Sequence, residues 1–282
     1  LGGSAGGQLL ANLGDAGGFR MFIFSSVLLS LAIVPMTLSA SSNPPAPTTS
    51  SMPFLELYKL VPSAVVGTTF ASFVQGGMSS MAIVFAIEAG MSTGKATIFV
   101  SAGLTGAALL QIPLGRLSDR YPRRIIILFC IFISASIAVL QSLLSNSNDL
   151  HIFLNLLFGA FVFPLYGLFA ALANDWIPSE KRISASSTLV LASSSGAVVA
   201  PIAIGFLLGN FAPSSYFLAN ASVLIFVGIY ISYRTRVREA VPVDKQSPFI
   251  PLVARSGQIA HSLGRWIRNP LAVWPREKPE DK

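Results

Sequence analysis

Gly115-Arg116-Leu117-Ser118-Asp119-Arg120-Tyr121-Pro122-Arg123-Arg124 separates two runs, Ala96–Leu114 and Ile125–Leu144, that contain no charged residue. Each run is about as long as the ~20 apolar residues a helix needs to cross a bilayer, and an unpaired charge at mid-bilayer is costly. The loop therefore reads as a polar turn between two membrane spans. Working outward with the same punctuation, Met21–Ala40, Leu60–Ile87 and Ile152–Asn174 are further spans. The 51 uncharged residues between Arg182 and Arg234 must hold two more, with Gly209-Asn210-Phe211-Ala212-Pro213 as the turn between them. Long continuous runs, rather than alternating ones, favour helices over barrel strands. The expected fold is an all-α polytopic membrane protein with seven complete spans.

Composition agrees. Of 282 residues, 52% are hydrophobic and only 11% charged, with a mean hydropathy of +0.66. A soluble domain carries roughly 25% charged residues, so a soluble enzyme, a coiled coil and a disordered chain are excluded. The net charge of +7 does not point to nucleic acid, because ten of the nineteen Lys and Arg lie from Arg234 onward. The single thiol, Cys130, sits inside an apolar run, which excludes an internal disulfide and a cysteine-based zinc site. HExxH and P-loop patterns are missing, so neither a catalytic role nor a metal or cofactor is expected.

Orientation follows from Lys and Arg. Lys59, the four signature-loop arginines, Lys181 and Arg182 fall on one side with the basic tail, while Arg20 and Lys95 fall on the other. The positive-inside rule makes the first side cytoplasmic, and with it the C-terminus.

The quoted loop resembles the signature loop of the major facilitator superfamily: Gly, any residue, Leu, a small residue, Asp, Arg or Lys, an aromatic residue, Gly, then two Arg or Lys. Every position matches except Pro122, where that family usually has Gly. Members have twelve helices in two six-helix halves, and the signature follows the second helix of each half. Here three spans precede it and four follow, so the resemblance implies the second copy. It assigns residues 1–14 to the end of helix five, 15–41 to helix six and 42–58 to the central cytoplasmic linker. Residues 59–238 become the C-terminal six-helix half, and 239–282 a cytoplasmic tail. The chain is then expected to be a portion of a longer protein whose N-terminal half is its partner. Gly7-Gln8-Leu9-Leu10-Ala11-Asn12 and Ala173-Asn174-Asp175-Trp176-Ile177-Pro178 further resemble a bacterial YcaD-like branch, which implies the inner membrane. The helix-five pattern of proton-coupled drug antiporters is only half kept: Gly2 and Gly6 have its spacing, but Gly7 replaces its proline.

The implied function is movement of a small solute, as efflux or uptake, by alternating access. A non-transporting sensor or scaffold with the same fold is the alternative. The substrate itself is not legible. In the family reading Gly115, Arg116, Asp119, Arg120, Arg123 and Arg124 form a gating loop, with Asp175, Glu180 and Arg182 as its charge partners. Arg120 or Arg124 is expected on Asp175, and Asp119 facing the other half. Gln75, Asn155 and Tyr166 are candidate cavity residues, each with helix packing as an equal or better reading. Ser193-Ser194-Ser195-Gly196 reads as a thin packing surface. Glu88 and His151 stand at span ends, where solvated positions are expected. In the tail, Ile259, Leu263, Trp266 and Ile267 follow helical spacing, so an interfacial helix is one reading and a disordered basic tail the other.

Overall fold

Proline and charge set the helix boundaries. The computed structural model describes residues 52–144, 148–178 and 181–237, and six positions between Ile23 and Val34. Its helices are α1 (Phe54–Leu60), α2 (Pro62–Glu88), α3 (Thr93–Arg120), α4 (Arg123–Leu143), α5 (Asn148–Asn174), α6 (Arg182–Asn210) and α7 (Ser215–Val237). The last six are long and apolar enough to cross a membrane. Ile23, Ser26, Val27, Ser30, Leu31 and Val34, within the first expected span, are helical as well. The rest of that span, most of the linker, Glu180 and the 239–282 tail with its expected helix lie outside the described residues.

The second expected span, Leu60–Ile87, is two elements. A residue before proline is pushed out of the helical region, and Val61 (φ −139°, ψ 62°) breaks the chain ahead of Pro62, the first residue of α2. The linker interval 42–58 accordingly ends in ordered helix, since α1 begins at Phe54. After α2 the chain turns through Gly90 at φ +79°, a left-handed conformation that glycine adopts without a Cβ penalty. The expected turn at Gly209–Pro213 separates α6 from α7.

In lipid, helices gain little from hiding apolar surface and associate instead through close backbone approach. α3 lies along α5, α2 along α6, and α4 along α7, with α5 also meeting α2 and α4. Small residues set the first two contacts. A Cβ on Gly106 would run into the Leu156 carbonyl, and one on Gly159 into that of Gly103. On the other pair, a Cβ on Gly196 would strike the Thr69 carbonyl, and one on Gly76 would stand 2.9 Å from the carbonyl oxygen of Ala197. That oxygen is the one Pro201 cannot serve, because proline has no N–H for the i−4 bond. Of the thin Ser193–Gly196 surface, Ser193 and Gly196 are buried, while Ser194 and Ser195 are exposed.

α5 is the central helix. Its most apolar window is 78% buried, against 33% for α3 and for α6, which leave the most surface uncovered. One core cluster runs through the bundle around Phe85, Phe99, Phe158, Phe169 and Phe217. A smaller one joins Leu57 of α1 to Ile177, Ala185 and Leu189 at the end where α5 stops and α6 starts.

Candidate functional site

Charged groups collect at the two ends of the bundle. At one end Lys95 meets Asp149 at 2.9 Å, and both are exposed. The other end holds the signature loop. Tyr121 is extended and Pro122 has φ −54°, the value its ring imposes, so the turn asks for no left-handed backbone where the family usually has Gly. α4 starts at once, and its first residue, Arg123, points inward with 1% of its side chain exposed.

Arg123 is the hub. Its Nη1 donates to both carboxylate oxygens of Asp175 at 2.6 Å and to the Ala171 carbonyl at 3.0 Å. Its Nη2 donates to Asp119 at 3.1 Å. The ends of α3, α4 and α5 are thereby tied to one guanidinium. This departs from the expectation that Arg120 or Arg124 would hold Asp175. Arg123 opens a helix whose first turn faces α5, whereas Arg120 closes α3 on an exposed face; Arg124 is buried beside it. Asp119 turns to Arg123 while remaining a third exposed. Arg116 is exposed, Gly115 is buried, and Ser118 is buried with its hydroxyl donating to the Gly115 carbonyl at 2.8 Å. Arg182 donates to the carbonyls of Asn174 and Ile177 at 3.2 and 3.3 Å, capping the last turn of α5.

Of the three candidate cavity residues, Asn155 borders the cavity described here. Asn155, fully buried, donates through Nδ2 to the Phe99 carbonyl at 2.8 Å. Its Oδ1 has no partner among the described residues. It lines a cavity of about 110 Å³ between α2, α3 and α5, with Met78, Ser79, Ala82, Leu104 and Phe163 around it. Gln75 and Tyr166 do not line it. Gln75 donates to the Val162 and Phe163 carbonyls at 3.2 Å each, bridging α2 to α5. Tyr166 is buried, with its hydroxyl against Ser193 of α6.

His151 corrects an expectation. Rather than standing solvated at a span end, it is 5% exposed and stacked on Phe217 (6.1 Å between centroids, 8° between planes). Phe85 meets it edge-on at 5.8 Å. The loop before α5 is short, so the helix start is drawn into the aromatic cluster that Tyr216 and Phe217 bring from α7. No sequence signal marked this: the pairing depends on contacts between α2, α5 and α7.

Residues 64–274 match the family model described as Major Facilitator Superfamily. The chain belongs to the Major Facilitator Superfamily. Among curated relatives, it is 24% identical over 223 residues to "Uncharacterized MFS-type transporter YcaD" of Escherichia coli O17:K52:H18 (strain UMN026 / ExPEC), covering 77% of this chain and 56% of that protein. It is 26% identical over 146 residues to "Uncharacterized MFS-type transporter Ent638_1421" of Enterobacter sp. (strain 638), covering 52% of this chain and 36% of that protein. The chain therefore spans about half the length of the first of these relatives and less of the second. Superfamily membership and the six apolar helices make it an integral membrane protein.

Proposed function

We propose that these helices are the second half of a transporter or facilitator that moves a small solute by alternating access. Two halves rock about a central site in that mechanism, and the partner half of the same protein would cover the faces of α3 and α6 that stand least buried here. The observation that carries the reading is the cavity between α2, α3 and α5, whose deepest polar residue is Asn155. Its walls hold no acid, base or thiol, so they suit recognition of a neutral group rather than catalysis. The Arg123–Asp175–Asp119 network ties three helices at the cytoplasmic end and sets the balance between outward-open and inward-open states rather than touching solute. The seven-to-two partition of Lys and Arg between the two sides, counted without the ten from Arg234 onward, supports an inside placement of that end, and the relatives' source supports a bacterial inner membrane.

The test is transport by the full-length protein in proteoliposomes, screened with sugar, drug and metabolite panels. At least one solute class should move, and Asn155→Leu should raise its KM while the protein stays monodisperse. A folded protein that moves nothing across the panels would instead favour a sensor or scaffold.

A further inference from the structure

α1 has two unlike faces. Leu57 is fully buried against the α5 and α6 ends, and two contacts pin the segment there: the Thr188 hydroxyl donates to the Met52 carbonyl at 2.6 Å, and Lys181 pairs with Glu56 at 3.1 Å. The opposite face carries Phe54, Leu55 and Tyr58, which are 51%, 61% and 39% exposed. The rings of Phe54 and Tyr58 stack at 6.4 Å. A seven-residue helix held so firmly has no folding reason to show three large apolar side chains to water. The C-terminal part of α7 approaches it at Tyr230. Tyr230 lies near enough to Tyr58 and Arg234 for both to act on its hydroxyl. The Nε of Arg234 is buried and has no partner among the described residues. Tyr233, Arg236 and Lys59 are exposed. Among the described residues of α1 and α7 the one acid is Glu56, already engaged by Lys181.

An apolar ledge, tyrosine hydroxyls and a cation at the mouth of membrane helices match the depth profile of a bilayer: acyl chain, interface, phosphate. We propose that Tyr58, Tyr230 and Arg234 seat the phosphate of an anionic phospholipid, with the Phe54–Leu55–Tyr58 face of α1 resting on its acyl chains. The Nη groups of the guanidinium supply the paired donors that a phosphate accepts, and the tyrosine pair supplies a further O–H donor. The bound lipid would hold α1, and so the entry to α2, against the membrane surface. This assignment requires only that the bundle lies in a membrane, and stands apart from the transport reading.

Native mass spectrometry of the purified full chain, titrated with phosphatidylglycerol and phosphatidylcholine, tests it. One cation near an anionic headgroup is worth about fivefold in affinity. Phosphatidylglycerol should be favoured by at least that factor in the unaltered chain, and the preference should vanish in Arg234→Gln. Lys95→Gln, at the opposite end of the bundle, should leave it intact. If Arg234→Gln is not monodisperse, Tyr58→Phe with Tyr230→Phe takes its place and should lower the preference at least twofold. Equal binding of the two lipids, or a preference untouched by these changes, overturns the proposal. Excess inorganic phosphate should leave phosphatidylglycerol bound; full displacement would make the occupant a soluble anion and reject the lipid.

Discussion

Arg123 and Asp175 stand 52 residues apart and meet at 2.6 Å, each with only 1% of its side chain exposed. Removing one of two charges so deeply buried is strongly destabilising, because the other loses its main compensation. Asp175→Asn or Arg123→Gln should therefore lower stability by about 3–5 kcal/mol. Arg123→Lys should fail to restore it, since a single ammonium cannot serve Asp175, Ala171 and Asp119 in the fixed directions of the guanidinium. Thermal unfolding, followed by the reaction of the buried Cys130 thiol with a fluorescent dye, checks both. The exposed Lys181–Glu56 pair is the internal control: its removal should cost at most about 1 kcal/mol.

Glycine substitutions should divide by what a methyl group would meet. Gly106→Ala and Gly196→Ala place it against backbone carbonyls, so the helices must separate, at a cost of about 1–3 kcal/mol or more. Gly94→Ala meets nothing within 4 Å, and should be neutral or stabilise α3 by up to about 1 kcal/mol. A thermal ramp should show a loss for Gly106→Ala and Gly196→Ala and none for Gly94→Ala. Equal losses would contradict the close approach of α3 to α5 and of α2 to α6.

Two buried amides should part company in transport assays. Gln75 spends its amide protons on the α5 backbone, so Gln75→Leu should reduce stability by about 1 kcal/mol per lost bond and leave KM unchanged. Asn155 borders the cavity, so Asn155→Leu should shift KM more than melting temperature. Measuring both quantities on both variants in full-length protein separates a bridging amide from one that meets solute.

The sidedness of the bundle can be read with thiol reagents. Cys130 is wholly buried and should stay silent in folded protein. Ser118 is buried as well, so a reporter belongs on its exposed neighbour Tyr121. Tyr121→Cys should react only from the cytoplasmic side and Asn210→Cys only from outside. Labelling of Tyr121→Cys by an impermeant reagent in intact cells would invert the topology.

The spans were legible because charge is too costly in lipid to be scattered: each long helix begins or ends within a few residues of the position that the uncharged runs predict. The signature loop was legible as a motif, and its meeting with Asp175 was foreseen. Which arginine does the pairing was not. Arg120, Arg123 and Arg124 differ in sequence only by position, and the choice depends on how α4 rotates on leaving Pro122. His151 misled for a related reason. A histidine near a span end reads as wet until the rings of Phe85 and Phe217, from helices distant in sequence, are known to enclose it. α1 was concealed where the expected linker meets the second span, because seven residues carry too little periodicity to stand out.

The bare-backbone crossings at Gly106 and Gly159 bear on which parts of the bundle can move. Where side chains lie between two helices, a change of rotamer can follow a sliding neighbour within nanoseconds. Where carbonyl meets glycine there is no such slack: any shear between α3 and α5 must open a gap or break the contact. These two helices are then one mechanical body. The seam between α2 and α5 keeps more slack, because side chains make its contacts: Gln75 reaches to the Val162 and Phe163 carbonyls, and Phe85 meets the ring of His151.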